Sequence, residues 1–154
     1  MGKTFSLDYI VRWPDTDMAG VAYFARYFDF FEIAENEFYR QKGLPQSQMY
    51  RELKVRIPRV SVSCEYRGPA RLDDELRIDL WVRELNVRSF TFGFRVVQKA
   101  GNAAIAEGSV SICVLSLETQ QTVPIPDRLR ALLESYYQPA EKPPAGKRVA
   151  KKRA

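Results

Sequence analysis

The feature that most constrains this chain is an unbroken run from about residue 21 to residue 42. It contains no Pro, has no Gly within it, and is closed by Gly43 and Pro45, as a helix would be. At about 100° per residue, Phe24, Tyr27, Phe28, Phe31, Ala34 and Phe38 share one face of that helix, while Arg26, Asp29, Asn36, Glu37 and Arg40 gather opposite. Phe30 and Ile33 interrupt the polar side. A helix this aromatic, and apolar on more than one side, must be enclosed by other elements.

The rest of the chain supplies strands to enclose it. Phe5, Leu7, Tyr9 and Val11 alternate with Ser6, Asp8 and Arg12, which predicts a half-buried strand ended by Pro14. A short helix or turn over residues 46–53 leads to two further alternations, Val60, Val62, Cys64, Tyr66 and then Leu76, Ile78, Leu80, Val82. Phe90, Phe92, Phe94 and Val96 line one side of the next strand, residues 99–102 make a hairpin turn, and residues 104–114 form an apolar strand. A short amphipathic helix is predicted over residues 127–137. The expected class is α+β, one long helix wrapped by one curved antiparallel sheet. The outer face and edges of such a sheet stay partly exposed, which favours pairing with a second copy.

Composition limits the chemistry. The chain has 154 residues, enough for one domain, expected over residues 1–139. Residues 140–154 read as a disordered basic tail. In it Glu141 stands against Lys142, Lys147, Arg148, Lys151, Lys152 and Arg153, which accounts for the whole net charge of +5. The body is therefore formally neutral, and no nucleic-acid partner is expected. The absence of histidine removes Ser-His-Asp and Cys-His nucleophiles, an imidazole base and every histidine metal site. Cys64 and Cys113 lie far apart in apolar alternating segments and read as buried core thiols. Unclustered cysteines, no secretory signal and no long apolar span point to a cytoplasmic protein with no membrane span; no metal or cofactor is expected.

Asp15-Thr16-Asp17 falls between a strand end and the long helix. On local chemistry it is a turn with helix capping, since Asp and Thr accept hydrogen bonds from free N–H groups there. A DxD magnesium site is a weak alternative. The functional alternative is a carboxylate held near N–H groups that can receive an oxyanion, with Gly20 permitting close approach of a ligand.

The segment RWPDTDMAGVAYFARYFDFFEIAENE, from Arg12 to Glu37, resembles the signature of the 4-hydroxybenzoyl-CoA thioesterase branch of hotdog-fold acyl-CoA thioesterases. The similarity continues through RVSVSCEYRGPARLDDELRIDLWV and NVRSFTFGF. The resemblance implies a hotdog fold of about five strands around the helix, with active sites at a dimer interface. It implies hydrolysis of an acyl-CoA thioester, with Asp17 as nucleophile or general base and the backbone N–H of Phe24 as the oxyanion donor.

A carboxylate at Asp17 suits a nucleophile. Phe24 replaces the His or Tyr of relatives, so only its backbone N–H could act. Gly20, Tyr27 and Glu32 are substrate-binding candidates by the same resemblance. Glu35 falls on the apolar helix face and needs a partner, either an Arg of the opposite subunit or a polar acyl group. Arg88 and Ser89 match the CoA-contacting region of the family, where phosphates call for cations, and Arg59 is a weaker candidate. A homodimer or homotetramer is implied. A dehydratase reading is disfavoured by the missing histidine, while a non-catalytic acyl-CoA-binding module stays open.

Overall fold

The computed structural model describes residues 2–140, so all of the expected basic tail except Ala140 lies outside the described residues. Five strands form one antiparallel sheet: β1 (Phe5–Ile10), β3 (Arg59–Tyr66), β4 (Glu75–Leu85), β5 (Ser89–Gln98) and β6 (Ala104–Cys113). Their order across the sheet is β1-β4-β5-β6-β3. Each follows the period-two pattern, which sends Leu76, Ile78, Leu80 and Val82 of β4 and Phe90, Phe92, Phe94 and Val96 of β5 to the same buried face. The hairpin between β5 and β6 turns through Gly101 and Asn102, both with positive φ. A two-stranded ribbon, β2 (Val55–Arg56) with β7 (Leu115–Ser116), stands beside the sheet. Two residues per strand are too few for a readable alternation.

Helix α1 (Arg26–Gln41) crosses the buried face of the sheet, and it starts later than the sequence predicts. Val21 bridges to Arg71, Ala22 bridges to Thr16, and the Ala22 N–H donates to the Ala70 carbonyl at 2.7 Å. These bonds hold residues 21 and 22 extended, so the helix cannot form until they are passed. Phe31 stacks on Phe94, ring centroids 4.6 Å apart, and Phe38 meets Phe5, Phe92 and Tyr136 edge-on. The stack needs Gly108 beneath it: a Cβ there would run into the Ser63 carbonyl and the Phe31 ring. Phe30, expected to interrupt the polar side, is fully buried, which confirms that the helix is covered on more than one side.

After α1, a short helix α2 (Gln46–Gln48) and a wide turn over Met49–Leu53 lead to β2, with Lys54 left-handed. The last helix, α3 (Asp127–Glu134), buries Leu129 and Leu133, and the segment after it hydrogen-bonds to Val82 of β4. Cys64 and Cys113 are half-buried, so neither is the fully buried core thiol expected.

The outer strand β3 is bare. Val62 and Tyr66 lie opposite Val110 and Ala106 and so point to the helix side, yet Val62 remains 47% and Tyr66 46% exposed. Val60, at the bulge that shifts the register between Arg59 and Ser61, is 67% exposed. An apolar edge strand of this kind is a surface for strand pairing.

Candidate active site

The Asp15–Asp17 turn is built from its first carboxylate. Asp15 is fully buried; its Oδ2 accepts from the Tyr9 hydroxyl and the Arg12 N–H, each at 2.8 Å, and its Oδ1 accepts from Arg26 Nε at 2.6 Å. Burial alone would raise its pKa, but the Arg12 N–H, Arg26 and Tyr9 together outweigh burial and hold it below the usual value. Neither aspartate caps α1, whose first turn follows Ala25 without a side-chain cap. The turn chemistry expected of this motif is present, but it closes its own loop.

Asp17 is exposed at the tip. Its N–H donates to the Val21 carbonyl, its carbonyl accepts from the Gly20 N–H, and its Oδ1 accepts from the Ala19 N–H at 2.8 Å. Oδ2 has no partner among the described residues. Gly20 takes φ +73°, which lets the loop double back without a side chain over the carboxylate. Asp17 and Gly20 share an open hollow of about 530 Å³ with Trp13, Thr16, Met18 and Leu72.

Phe24 lies before α1 and is 72% exposed, contrary to the apolar-face position the angle count gives it. Its carbonyl accepts from the Tyr66 hydroxyl at 2.6 Å, and its N–H meets no acceptor among the described residues. Tyr27 is buried in the core against Phe30 and Tyr66, where burial pushes its pKa up to about 12; it does not line the hollow.

The remaining candidates lie elsewhere. Glu32 is exposed on α1. Glu35 is fully buried and its Oε2 accepts from Arg59 Nη2 at 2.8 Å, so its arginine belongs to its own chain and not to the opposite subunit. Burial raises the Glu35 pKa to about 7 against the opposing charge of Arg59. Arg88 donates to the Thr122 carbonyl at 2.8 Å, and Ser89 accepts from the Asn86 amide.

Strand register places these groups at opposite ends of the sheet. Ile10 of β1 pairs with Glu75, so the Asp17 turn follows at the Glu75 end of β4. Leu85 pairs with Phe90, Ser89 with Cys113, and Arg59 with Ile112, which puts Arg59, Arg88 and Ser89 at the other end. The two ends are separated by roughly the length of β4, about 33 Å for its 11 residues. One chain does not bring Asp17 and the three cationic-end candidates together.

Sequence reasoning missed a second hollow. At the Arg59 end, residues 46–58 enclose about 630 Å³ with Met49, Tyr50, Val55, Ile57 and Pro58 among its walls. No alternation marks this segment, because a wide turn and a left-handed residue interrupt every period.

Residues 11–133 match the thioesterase-like superfamily. The chain belongs to that superfamily. Its relatives include a putative esterase of Aquifex aeolicus, 31% identical over 124 residues, covering 80% of this chain and 93% of that one. The acyl-CoA thioester hydrolase YbgC of Escherichia coli O6:H1 is 35% identical over 112 residues, 68% of this chain and 82% of that one. In structure, a 1,4-dihydroxy-2-naphthoyl-CoA thioesterase from Synechocystis superposes with a TM-score of 0.80 over 85% of this chain and 96% of that chain, at 21% identity, which shows the shared fold. The α+β sheet around α1 is thus the hotdog fold, and the thioesterase-like chain is a thioester hydrolase. Among its described residues no helix is long and apolar enough to cross a membrane.

Proposed function

We propose that this chain hydrolyses an acyl-CoA thioester to the free acid and CoA in the manner of the 4-hydroxybenzoyl-CoA type, whose Asp-x-Asp-x-x-Gly pattern it resembles at Asp15, Asp17 and Gly20. The observation behind this reading is the free Oδ2 of Asp17 in an open hollow, on the same end of the sheet as the unengaged Phe24 N–H. Thioester hydrolysis needs a group of each kind. The Asp17 carboxylate either attacks the carbonyl carbon, giving an anhydride that water opens, or takes a proton from an attacking water. Charge that builds on the carbonyl oxygen is met by the Phe24 N–H, and the CoA thiolate departs and is protonated.

Two copies complete the site. Antiparallel pairing of β3 with β3 of a second copy buries Val60, Val62 and Tyr66 and reverses one sheet against the other. Reversal sets Arg59, Arg88 and Ser89 of one copy beside Asp17 of the other, where Arg88 and Ser89 serve the CoA phosphates. Two such dimers make the tetramer. The test is thiol release from a panel of aliphatic and aromatic acyl-CoA thioesters: turnover above background on at least one is expected, and none across the panel would remove the reading.

A further inference from the structure

Arg59 is an arginine used by half. One N–H of Nη2 is given to Glu35, and the rest of the guanidinium makes no hydrogen bond among the described residues, with 37% of the side chain exposed. The carboxylate it meets is fully buried, and Glu35 Oε1 and the neighbouring Tyr39 hydroxyl, also buried, make no hydrogen bond of ordinary geometry. Arginine–carboxylate pairs frequently engage both oxygens through the planar fork of the guanidinium. Here a single contact ties the guanidinium to Glu35 and leaves its other N–H groups without a partner among the described residues. The position also matters: Arg59 opens β3 just before the bulge at Val60, at the exposed edge.

We propose that Glu35 is a positioning residue that holds Arg59 so that its outward N–H groups take an oxyanion of the thioester substrate bound at Asp17 of a paired copy. The inference rests on the shared-site reading above and adds a chemical demand on the substrate. The oxyanion is either a phosphate of CoA or a carboxylate at the far end of the acyl group; both match the fork of a guanidinium. Glu35 also couples this contact to pH. The ionisable groups acting on it are Arg59 from β3 and Glu32 and Tyr39 from its own helix, and with burial they set its titration near neutrality. Above that point the Arg59 charge is compensated by Glu35. Below it Glu35 is neutral, and the full charge of Arg59 faces the substrate.

The experiment compares wild type with Arg59→Met and Glu35→Gln on two substrates, a neutral acyl-CoA and an acyl-CoA whose chain ends in a carboxylate, with binding of CoA alone measured by calorimetry. Arg59→Met should raise KM about 10-fold to 100-fold, the effect of losing one hydrogen bond to a charged group, with a smaller change in kcat. A rise confined to the carboxylate-ended substrate assigns the acyl carboxylate. An equal rise on both, with CoA alone bound more weakly, assigns a phosphate. An equal loss with CoA binding unchanged, or no loss on either, overturns the proposal. In the wild type KM should fall as pH falls through about 7, and Glu35→Gln should flatten that step. Arg59→Met must flatten it too, which keeps the test if Glu35→Gln does not fold. A persisting step in either variant refutes the positioning role. Failure of the activity itself is read separately: a wild type inactive on every thioester removes the proposed function, while an active wild type matched by Arg59→Met removes only this inference.

Discussion

Arg26 Nε donates to Asp15 Oδ1 at 2.6 Å, so the first residue of α1 is fastened to the turn that presents Asp17. The pair joins two elements that sequence alone sets side by side without a bond between them. Arg26 also reaches Asp29 through Nη1, which fixes its guanidinium on the helix and makes the anchor rigid. Asp15 is therefore the support of the turn and Asp17 its exposed carboxylate, to which the proposed function gives the chemistry, a division that substitutions can separate.

Asp17→Asn keeps size and the Asx-type turn but removes the charge that the proposed reaction needs. Turnover should fall by about 10² or more while KM changes little. Asp15→Asn should leave the chemical step largely intact and cost about 1–3 kcal/mol of stability, because it takes a charged acceptor from three donors. The Asp15 pKa is depressed on folding, so its contribution is complete above the ordinary value of 3.8 and is lost as pH falls through the depressed one. Urea midpoints followed from pH 6 down to pH 2 should show this acid limb in wild type and a shallower one in Asp15→Asn. Equal rate losses in both variants would contradict the division of roles.

Glu35 works in the opposite sense. Its folded pKa, about 7, lies above the ordinary 4.5, so its contribution to stability is fully present below pH 4.5 and declines as pH rises to about 7. The loss is on the order of 3 kcal/mol. Glu35→Gln cannot ionise, and its denaturation midpoint should stay level across that range; a wild-type midpoint flat from pH 4.5 to 7 would count against the buried-acid account.

Val62→Lys puts a charge on the bare edge of β3, at a side chain that is 47% exposed. Sedimentation at micromolar concentration should show monomers with unchanged secondary structure, and turnover should fall with the assembly. A fully active monomer would refute the shared site.

Gly108→Ala tests the seat of the helix. The added Cβ meets the Ser63 carbonyl and the Phe31 ring, so either β3 or α1 must move. A loss of about 1–3 kcal/mol is expected in urea denaturation, the usual effect of overpacking. Phe31→Leu in the same background should recover part of it if the aromatic ring is the main obstacle.

Much of the fold was legible from the pattern of side chains. Alternation located all five main strands within a few residues, and the aromatic run located α1 and its need for cover. The start of α1 was not legible, because the bonds from Val21 and Ala22 to Arg71, Ala70 and Thr16 connect distant or doubling-back segments that a helical angle count does not see. That is why Phe24 is a solvent-exposed residue before the helix and not part of its apolar face.

The candidate site divides in the same way. Residue types limited the chemistry without any structure: with no histidine it falls to carboxylates, Tyr, Lys or Cys, and Asp15-Thr16-Asp17 beside Gly20 stands out as a candidate only through its resemblance to the thioesterase signature. Register decided the rest. Arg59, Arg88 and Ser89 read as companions of Asp17 on one line of sequence, but antiparallel pairing places them at the far end of an 11-residue strand. Burial decided that Asp15 and not Asp17 is the buried carboxylate of the turn, and that Glu35 pairs with Arg59 of its own chain. Local chemistry is written in neighbouring residues, whereas distance, burial and charge pairing depend on which remote segments the sheet brings together.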